Sequence, residues 1–437
     1  MYVKNVSLRK IRGFKSLRLD FTPRDDLYAG LTVITGSNGS GKTTLLRAIA
    51  ASLLGPNVAT ALQGSFKYWV SAGETRGTIQ TEIVPSRGAD RFEPPRVPFQ
   101  PFPVSLQVSG KAGEDPRVSD GGAKIHSSMK HDPRYAGPWG TSQLGWFCAG
   151  YGAFRRLSRG ERSATEAAPI PARSRPFNSL FFTGTTLNEC EAWLKDLDYR
   201  SRYSPESGIG AKELLQSTMR FLNDGLLPGG LQISRVDPDG AWLARADGTE
   251  LPLAEMSDGE RTSLALVMDI LRHMETAYGG RGLFGILNGR TVVTQPGVVL
   301  IDELDAHLHP EWQLEIGPWL KKAFPKIQFI VTTHSPMICQ AADKDSLYHL
   351  QPSDEPEGVR IEGKDYQETV SSRPNDIYTG PAFKLRQLRP SDEEERRQEF
   401  AQLSAKKASV PLTPAEIARF NDLAAAIADN RLDDDDA

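Results

Sequence analysis

Gly36-Ser37-Asn38-Gly39-Ser40-Gly41-Lys42-Thr43 carries the strongest fold signal in this chain. It fits the pattern G-x-x-x-x-G-K-[ST], and its flanks have the right character. Leu31-Thr32-Val33-Ile34 before it is a short apolar, β-branched run, which predicts a buried parallel strand. After it, Leu45, Leu46, Ile49 and Leu53 recur at helical spacing. Strand, glycine loop and helix start aim several backbone N–H groups at a single phosphate. Gly36, Gly39 and Gly41 allow backbone angles and a close approach that a β-carbon would forbid. In such a loop Lys42 reaches the β- and γ-phosphates and the Thr43 hydroxyl holds Mg²⁺, with Ser37, Asn38, Ser40 and Thr44 completing the cradle. The expected ligands are therefore ATP and Mg²⁺.

Downstream, Val298-Val299-Leu300-Ile301 is another continuous apolar run, and it ends in Asp302-Glu303. A carboxylate pair at the carboxyl end of a buried parallel strand is expected beside the phosphate loop of the neighbouring strand. Asp302 would hold the magnesium, directly or through water. Glu303 would polarise the attacking water as general base. Ile327-Gln328-Phe329-Ile330-Val331 then leads into Thr332-Thr333-His334, which places His334 as a γ-phosphate sensor. In Met256-Ser257-Asp258-Gly259-Glu260, Ser257 is a good helix N-cap and Glu260 completes a capping box before an apolar helix. That helix start is also an anion site, because its N–H groups and the positive end of its dipole point outward.

Taken together these motifs resemble an ABC-type ATPase head of the branch that contains SMC, RecF and OLD-like proteins. Met256 to Glu260 is similar to the signature motif of that superfamily, and Leu304-Asp305-Ala306-His307-Leu308-His309-Pro310 resembles its D-loop. Ile11-Arg12-Gly13-Phe14-Lys15-Ser16-Leu17 resembles the amino-terminal strand and turn. The resemblance implies an α/β fold: a phosphate-loop core with an antiparallel β subdomain, a helical signature lobe and a small helical C-terminal extension. It also implies a head-to-tail dimer, in which Ser257, Gly259 and Glu260 of one subunit cap ATP held by the other and Asp305 relays across the interface. The match departs from the family at the Q-loop glutamine. Gly145 to Arg156 resembles the strand leading into that region, yet no glutamine ends it. Gln143, which precedes it, is the candidate there on the metal side, and Arg155 or Arg156 is expected to take part in sensing.

The chain has 437 residues and a net charge of −3, so it is large enough for two or three domains and is not a globally basic nucleic-acid coat. Cys148, Cys190 and Cys339 are far apart and read as reduced thiols of a cytoplasmic protein. Met1 opens directly into a strand, with no signal peptide expected, and no run approaches the ~18 apolar residues of a membrane span. Motif order divides the chain into residues 1–155 (ATPase lobe, first part), 156–276 (second lobe with the signature), 277–350 (ATPase lobe, second part) and 351–437 (helical extension with an acidic tail). Ser65 to Val84 reads as β-rich, and the Pro- and Gly-dense stretch from Pro85 to Gly140 reads as surface loop. Thr186 to Tyr199 and Ala211 to Asn223 read as helices, and Leu231 to Leu253 as short strands. Ser391 to Lys406 and the helix begun by Thr413-Pro414-Ala415-Glu416 suggest a hairpin that docks on a partner, on the other subunit or on its own lobe.

Arg155, Arg156, Arg159, Arg162, Arg173 and Arg175 form the most basic stretch, a candidate for DNA or RNA contact or a solvated loop. No sustained heptads are present, so the long coiled coil of SMC proteins is not expected. The resulting expectation is a switch ATPase that dimerises around ATP and controls a separate effector, a nuclease or toxin. In length and motif wording it resembles the ATPase subunits of Septu- and retron-type anti-phage systems. A RecF- or SMC-like DNA-repair ATPase is the alternative.

Overall fold

The structure is a computed structural model; it describes residues 1–22, 27–95, 97, 99–110, 115–124, 131–142, 144–155, 172–182, 189–203, 208–351, 358–385 and 391–432. At its centre lies a six-stranded sheet in the order Val359–Ile361, Leu347–Leu350, Gly30–Gly36, Ile327–Thr332, Gly297–Ile301, Cys148–Tyr151. All pairings are parallel except that of the edge strand Val359–Ile361. The three apolar runs are the three middle strands, and both faces of each are covered, as continuous β-branched runs require. Side chains alternate between two cores. Val298 and Leu300 pack with Leu45, Leu46, Ile49 and the antiparallel sheet, while Val299 and Ile301 pack with Leu264, Val267 and Leu271 of the signature helix.

On one side, the helix Lys42–Leu54 is almost wholly buried between the central sheet and a five-stranded antiparallel sheet. That sheet runs Phe14–Asp20, Tyr2–Ile11, Arg76–Val84, Phe102–Ser109, Arg117–Asp120. Two expectations are corrected here. Ser65 to Val84 contains one strand, Arg76–Val84, and the residues before it form turns. The stretch from Pro85 to Gly140 is not all surface loop, because Phe102–Ser109 and Arg117–Asp120 are strands of this sheet. Phe102, Val104, Leu106 and Val108 alternate into the core, and that burial outweighs the prolines around them.

On the other side, the signature helix Asp258–Tyr278 carries a band of fully buried side chains and packs with helices Glu189–Tyr203 and Gly208–Asn223. Ile233, Val236 and Leu243 of a three-stranded sheet (Gln232–Asp237, Gly240–Ala244, Glu250–Pro252) join the same core. The first of those two helices is described from Glu189, and Thr186 to Asn188 of its expected span lie outside the described residues. Beyond residue 350, where the extension was expected to begin, Val359–Ile361 still adds to the central sheet, and Tyr366, Ile377 and Ala382 are core residues. Helices Ser391–Ser409 and Pro414–Leu432 then form the expected hairpin, with Phe400 stacked on Phe420 at 4.8 Å between ring centres. Thr413 and Glu416 form the expected capping box, the Thr413 N–H donating to Glu416 at 2.9 Å. Among the described residues, no helix is long and apolar enough to cross a membrane.

Candidate nucleotide site

The phosphate loop leaves the strand Gly30–Gly36 and turns into the helix Lys42–Leu54 through residues held at positive φ. Gly41, at φ 92°, caps the helix, and a β-carbon there would lie 2.4 Å from the Phe14 ring. Glycine is therefore needed at this position for backbone angle and for space together. Asn38 to Thr44, Glu303 and His334 line one cavity of about 400 Å³, together with Arg12, Gly13 and Phe14. Lys42 is buried within it, and its Nζ donates to the carbonyls of Gly36 at 2.8 Å and Ser37 at 3.1 Å. Burial lowers the Lys42 ammonium pKa, and the nearby Asp302, Glu303 and Asp305 oppose that shift. Among the described residues the buried Ser40 hydroxyl has no hydrogen-bond partner, an orphan donor of the kind a phosphate oxygen satisfies. The donor set thus fits a magnesium nucleotide.

Strand order brings a correction. The acidic strand Gly297–Ile301 is not the direct neighbour of the phosphate-loop strand, because Ile327–Thr332 lies between them. The loop nevertheless crosses the sheet end, and Thr43 Oγ1 donates to Asp302 Oδ2 at 2.6 Å. The intervening strand supplies Thr332, whose Oγ1 donates to Asp302 Oδ1 at 2.7 Å and accepts from the Glu303 N–H at 2.8 Å. A single hydroxyl therefore orients the candidate metal ligand and the candidate base. Glu303 sits at φ 49°, in the left-handed region where a non-glycine residue is uncommon. Asp305 accepts from Thr333 Oγ1 at 2.5 Å and from the His334 N–H at 3.2 Å, which links the D-loop to the candidate sensor.

The signature residues stand apart from this cavity. Ser257 is exposed at the start of its helix, and its Oγ donates to Glu260 Oε2 at 2.7 Å in a complete capping box. Gly259 meets the D-loop of its own chain, where an added β-carbon would lie 2.3 Å from the His307 carbonyl oxygen. Gln143 and Arg156 lie outside the described residues. Arg155 and Arg173 do not offer their charge outward for nucleic acid. Arg155 is buried against backbone carbonyls, and Arg173 donates to the carbonyls of Gly137 and Gly140. Arg159 and Arg162, from the same basic stretch, lie outside the described residues.

Arg12 and Phe14 were missed as site residues in the sequence. They were legible only as part of a family-like turn. Pairing of Tyr2–Ile11 with Phe14–Asp20 swings that turn over the phosphate loop. Arg12 Nη1 donates to Thr44 Oγ1 at 3.3 Å, its guanidinium lies 5.0 Å from the Trp69 ring centre, and burial lowers its pKa. Arg12→Ala is expected to weaken Mg-ATP binding roughly tenfold or more, the loss of one charge-assisted contact to phosphate. A fluorescent-nucleotide titration that gave the wild-type affinity would remove Arg12 from the site.

Fold and motifs resemble an ABC-type ATPase head of the SMC-like branch. Residues 151–339 match the family model described as "AAA domain, putative AbiEii toxin, Type IV TA system", and residues 5–83 match one described as "AAA domain". Over 153 residues the chain is 39% identical to "Retron Ec83 probable ATPase" of Escherichia coli, covering 33% of this chain and 26% of that protein. Over 337 residues it is 25% identical to "Septu protein PtuA" of Bacillus mycoides (strain KBAB4), covering 77% of this chain and 38% of that protein. The chain thus spans about a quarter to two-fifths of the length of these relatives. Among solved structures, an SMC head bound to the C-winged helix domain of ScpA superposes with a TM-score of 0.50 at 16% identity, over 84% of this chain and 100% of that one. That likeness concerns the fold alone.

Proposed function

We propose that this chain is a nucleotide-driven switch that hydrolyses ATP slowly, dimerises head-to-tail around it and controls a separate effector protein, a nuclease or toxin, in cytoplasmic anti-phage defence. The observation that carries the reading is the division of the motifs between two surfaces. Lys42, Thr43, Glu303 and His334 meet at one cavity, whereas the exposed Ser257 helix start is not among the residues that line it. A helix N-terminus that offers N–H groups to an anion, yet lies off its own chain's phosphate cavity, suits a phosphate held by a second copy. Relatives named for retron and Septu systems support the defence setting.

In this reading Lys42 and the loop N–H groups bind and orient the phosphates, and Thr43 and Asp302 hold the magnesium, which would neutralise charge developing on the phosphate oxygens. Glu303 accepts a proton from the attacking water, with its backbone N–H fixed by Thr332. His334 faces the same cavity, and Asp305, bonded to the His334 N–H, carries the occupied state towards the partner copy.

Light scattering of the full chain tests the dimer. Mg-ATP is expected to double the mass and ADP is not. Ser257→Arg, which puts a bulky side chain at the capping surface, is expected to abolish the doubling while each subunit still binds nucleotide. A mass that does not respond to nucleotide would overturn the switch.

A further inference from the structure

The sequence makes Arg155 a candidate for sensing, and its surroundings tie it to backbone. Its side chain is only 2% exposed. Among the described residues its hydrogen bonds all go to backbone carbonyls. Nη1 donates to Gly152 at 2.9 Å and to Asp302 at 2.8 Å, and Nη2 donates to Glu303 at 2.9 Å and to Leu304 at 3.2 Å. The planar fork therefore grips three consecutive carbonyls at the point where Glu303 adopts its left-handed φ of 49°. Such a conformation persists only where the surroundings over-determine it. Here the Thr332 hydroxyl holds the Glu303 N–H on one side and Arg155 holds its carbonyl on the other. Burial lowers the guanidinium pKa to about 10, opposed by Asp305, Asp302 and Glu303, so the group stays charged at neutral pH.

The strand just before Arg155, Cys148–Tyr151, is tied at its far face to the signature helix. Tyr151 Oη donates to Asp269 Oδ2 at 3.0 Å, inside a buried cluster where Asp269 also receives Arg272 Nη2 at 2.8 Å and lies 3.4 Å from His273 Nε2. One short segment thus touches the middle of the signature helix through Tyr151 and the backbone of the candidate base through Arg155.

We propose that Arg155 is a positioning residue that sets the Glu303 carboxylate, and that the segment from Tyr151 to Arg155 passes movement of the signature helix to it. This rests on the nucleotide-switch reading above for its turnover and Mg-ATP-response readouts; the exchange of the nucleotide-free Arg155→Lys chain is independent of it. Lysine keeps the charge of Arg155 but presents one point instead of a fork, so it cannot hold three carbonyls.

The test uses the full chain with Arg155→Lys and Tyr151→Phe, read by amide hydrogen exchange, Mg-ATP affinity and turnover. Arg155→Lys is expected to speed exchange locally at residues 303–308 and to leave Mg-ATP affinity nearly unchanged. It should lower turnover about 10- to 100-fold, the scale of a base displaced by about an ångström. Tyr151→Phe is expected to leave apo exchange at 303–308 unchanged and to remove the response of that segment to Mg-ATP. Unchanged exchange at 303–308 in Arg155→Lys, or faster exchange throughout the chain with affinity and turnover falling together, would overturn the proposal. If Arg155→Lys does not fold, Tyr151→Phe decides, and an intact Mg-ATP response in it overturns the relay. A wild-type chain that binds Mg-ATP without turnover would sink the hydrolysis reading, while the exchange comparison would still decide the role of Arg155.

Discussion

Glu303→Gln is expected to lower ATP turnover by about 100- to 10,000-fold, the usual contribution of a positioned general base, while Mg-ATP affinity stays close to that of the wild type. In free energy this is roughly 3–5 kcal/mol on the barrier. Glutamine matches the shape of the side chain but has no carboxylate to take a proton from water. Its backbone would still be held by the Thr332 hydroxyl and by Arg155, and the Thr43–Asp302 contact would be untouched. The loss should therefore fall on the chemical step and leave binding intact. Because hydrolysis ends the ATP-bound state, the variant should also hold the doubled mass long after the wild type has returned to monomer. Single-turnover assays and light scattering on the same sample check both parts. Normal hydrolysis by Glu303→Gln would show that another group is the base.

The second large effect is expected at Gly259. A methyl group there would lie 2.3 Å from the His307 carbonyl oxygen, a backbone atom that has no rotamer by which to move aside. His307 itself sits at φ 67° in a tight turn, where the Ala306 N–H bonds the Glu303 carbonyl at 2.9 Å and the Leu308 N–H bonds the Asp305 carbonyl at 3.1 Å. Pushing that turn would shift Asp305 and, through it, His334. Overpacking of this kind costs about 1–3 kcal/mol. We expect Gly259→Ala to weaken ATP-driven dimerisation and turnover together, each about 10- to 100-fold, because one contact serves the exposed helix start and the D-loop at once. Light scattering against Mg-ATP concentration reads the first and steady-state turnover the second. Wild-type behaviour in both would mean that the helix start can retreat and that the contact carries no coupling.

Much of the candidate site is legible in the sequence. The phosphate loop, the Asp302-Glu303 pair, His334 and the Ser257–Glu260 capping box are each carried by contiguous residues whose chemistry depends on local backbone geometry. The strand Phe102–Ser109 is also legible in principle, since Phe102, Val104, Leu106 and Val108 alternate, but the surrounding prolines mask the period of two. Arg12 and Phe14 carried no such signal. Nothing in a short turn between two strands says which loop it will cover.

Sequence alone therefore determined the class of fold and the loop residues that line the candidate phosphate cavity, because strand–loop–helix geometry is written within a few neighbouring positions. Tertiary structure alone decided that the histidine strand stands between the phosphate loop and the acidic strand. It also decided that Gly259 lies against its own D-loop, and that Arg155 grips backbone carbonyls. Those contacts join residues tens to hundreds of positions apart, and they follow from how layers pack around buried strands. No local pattern encodes that packing.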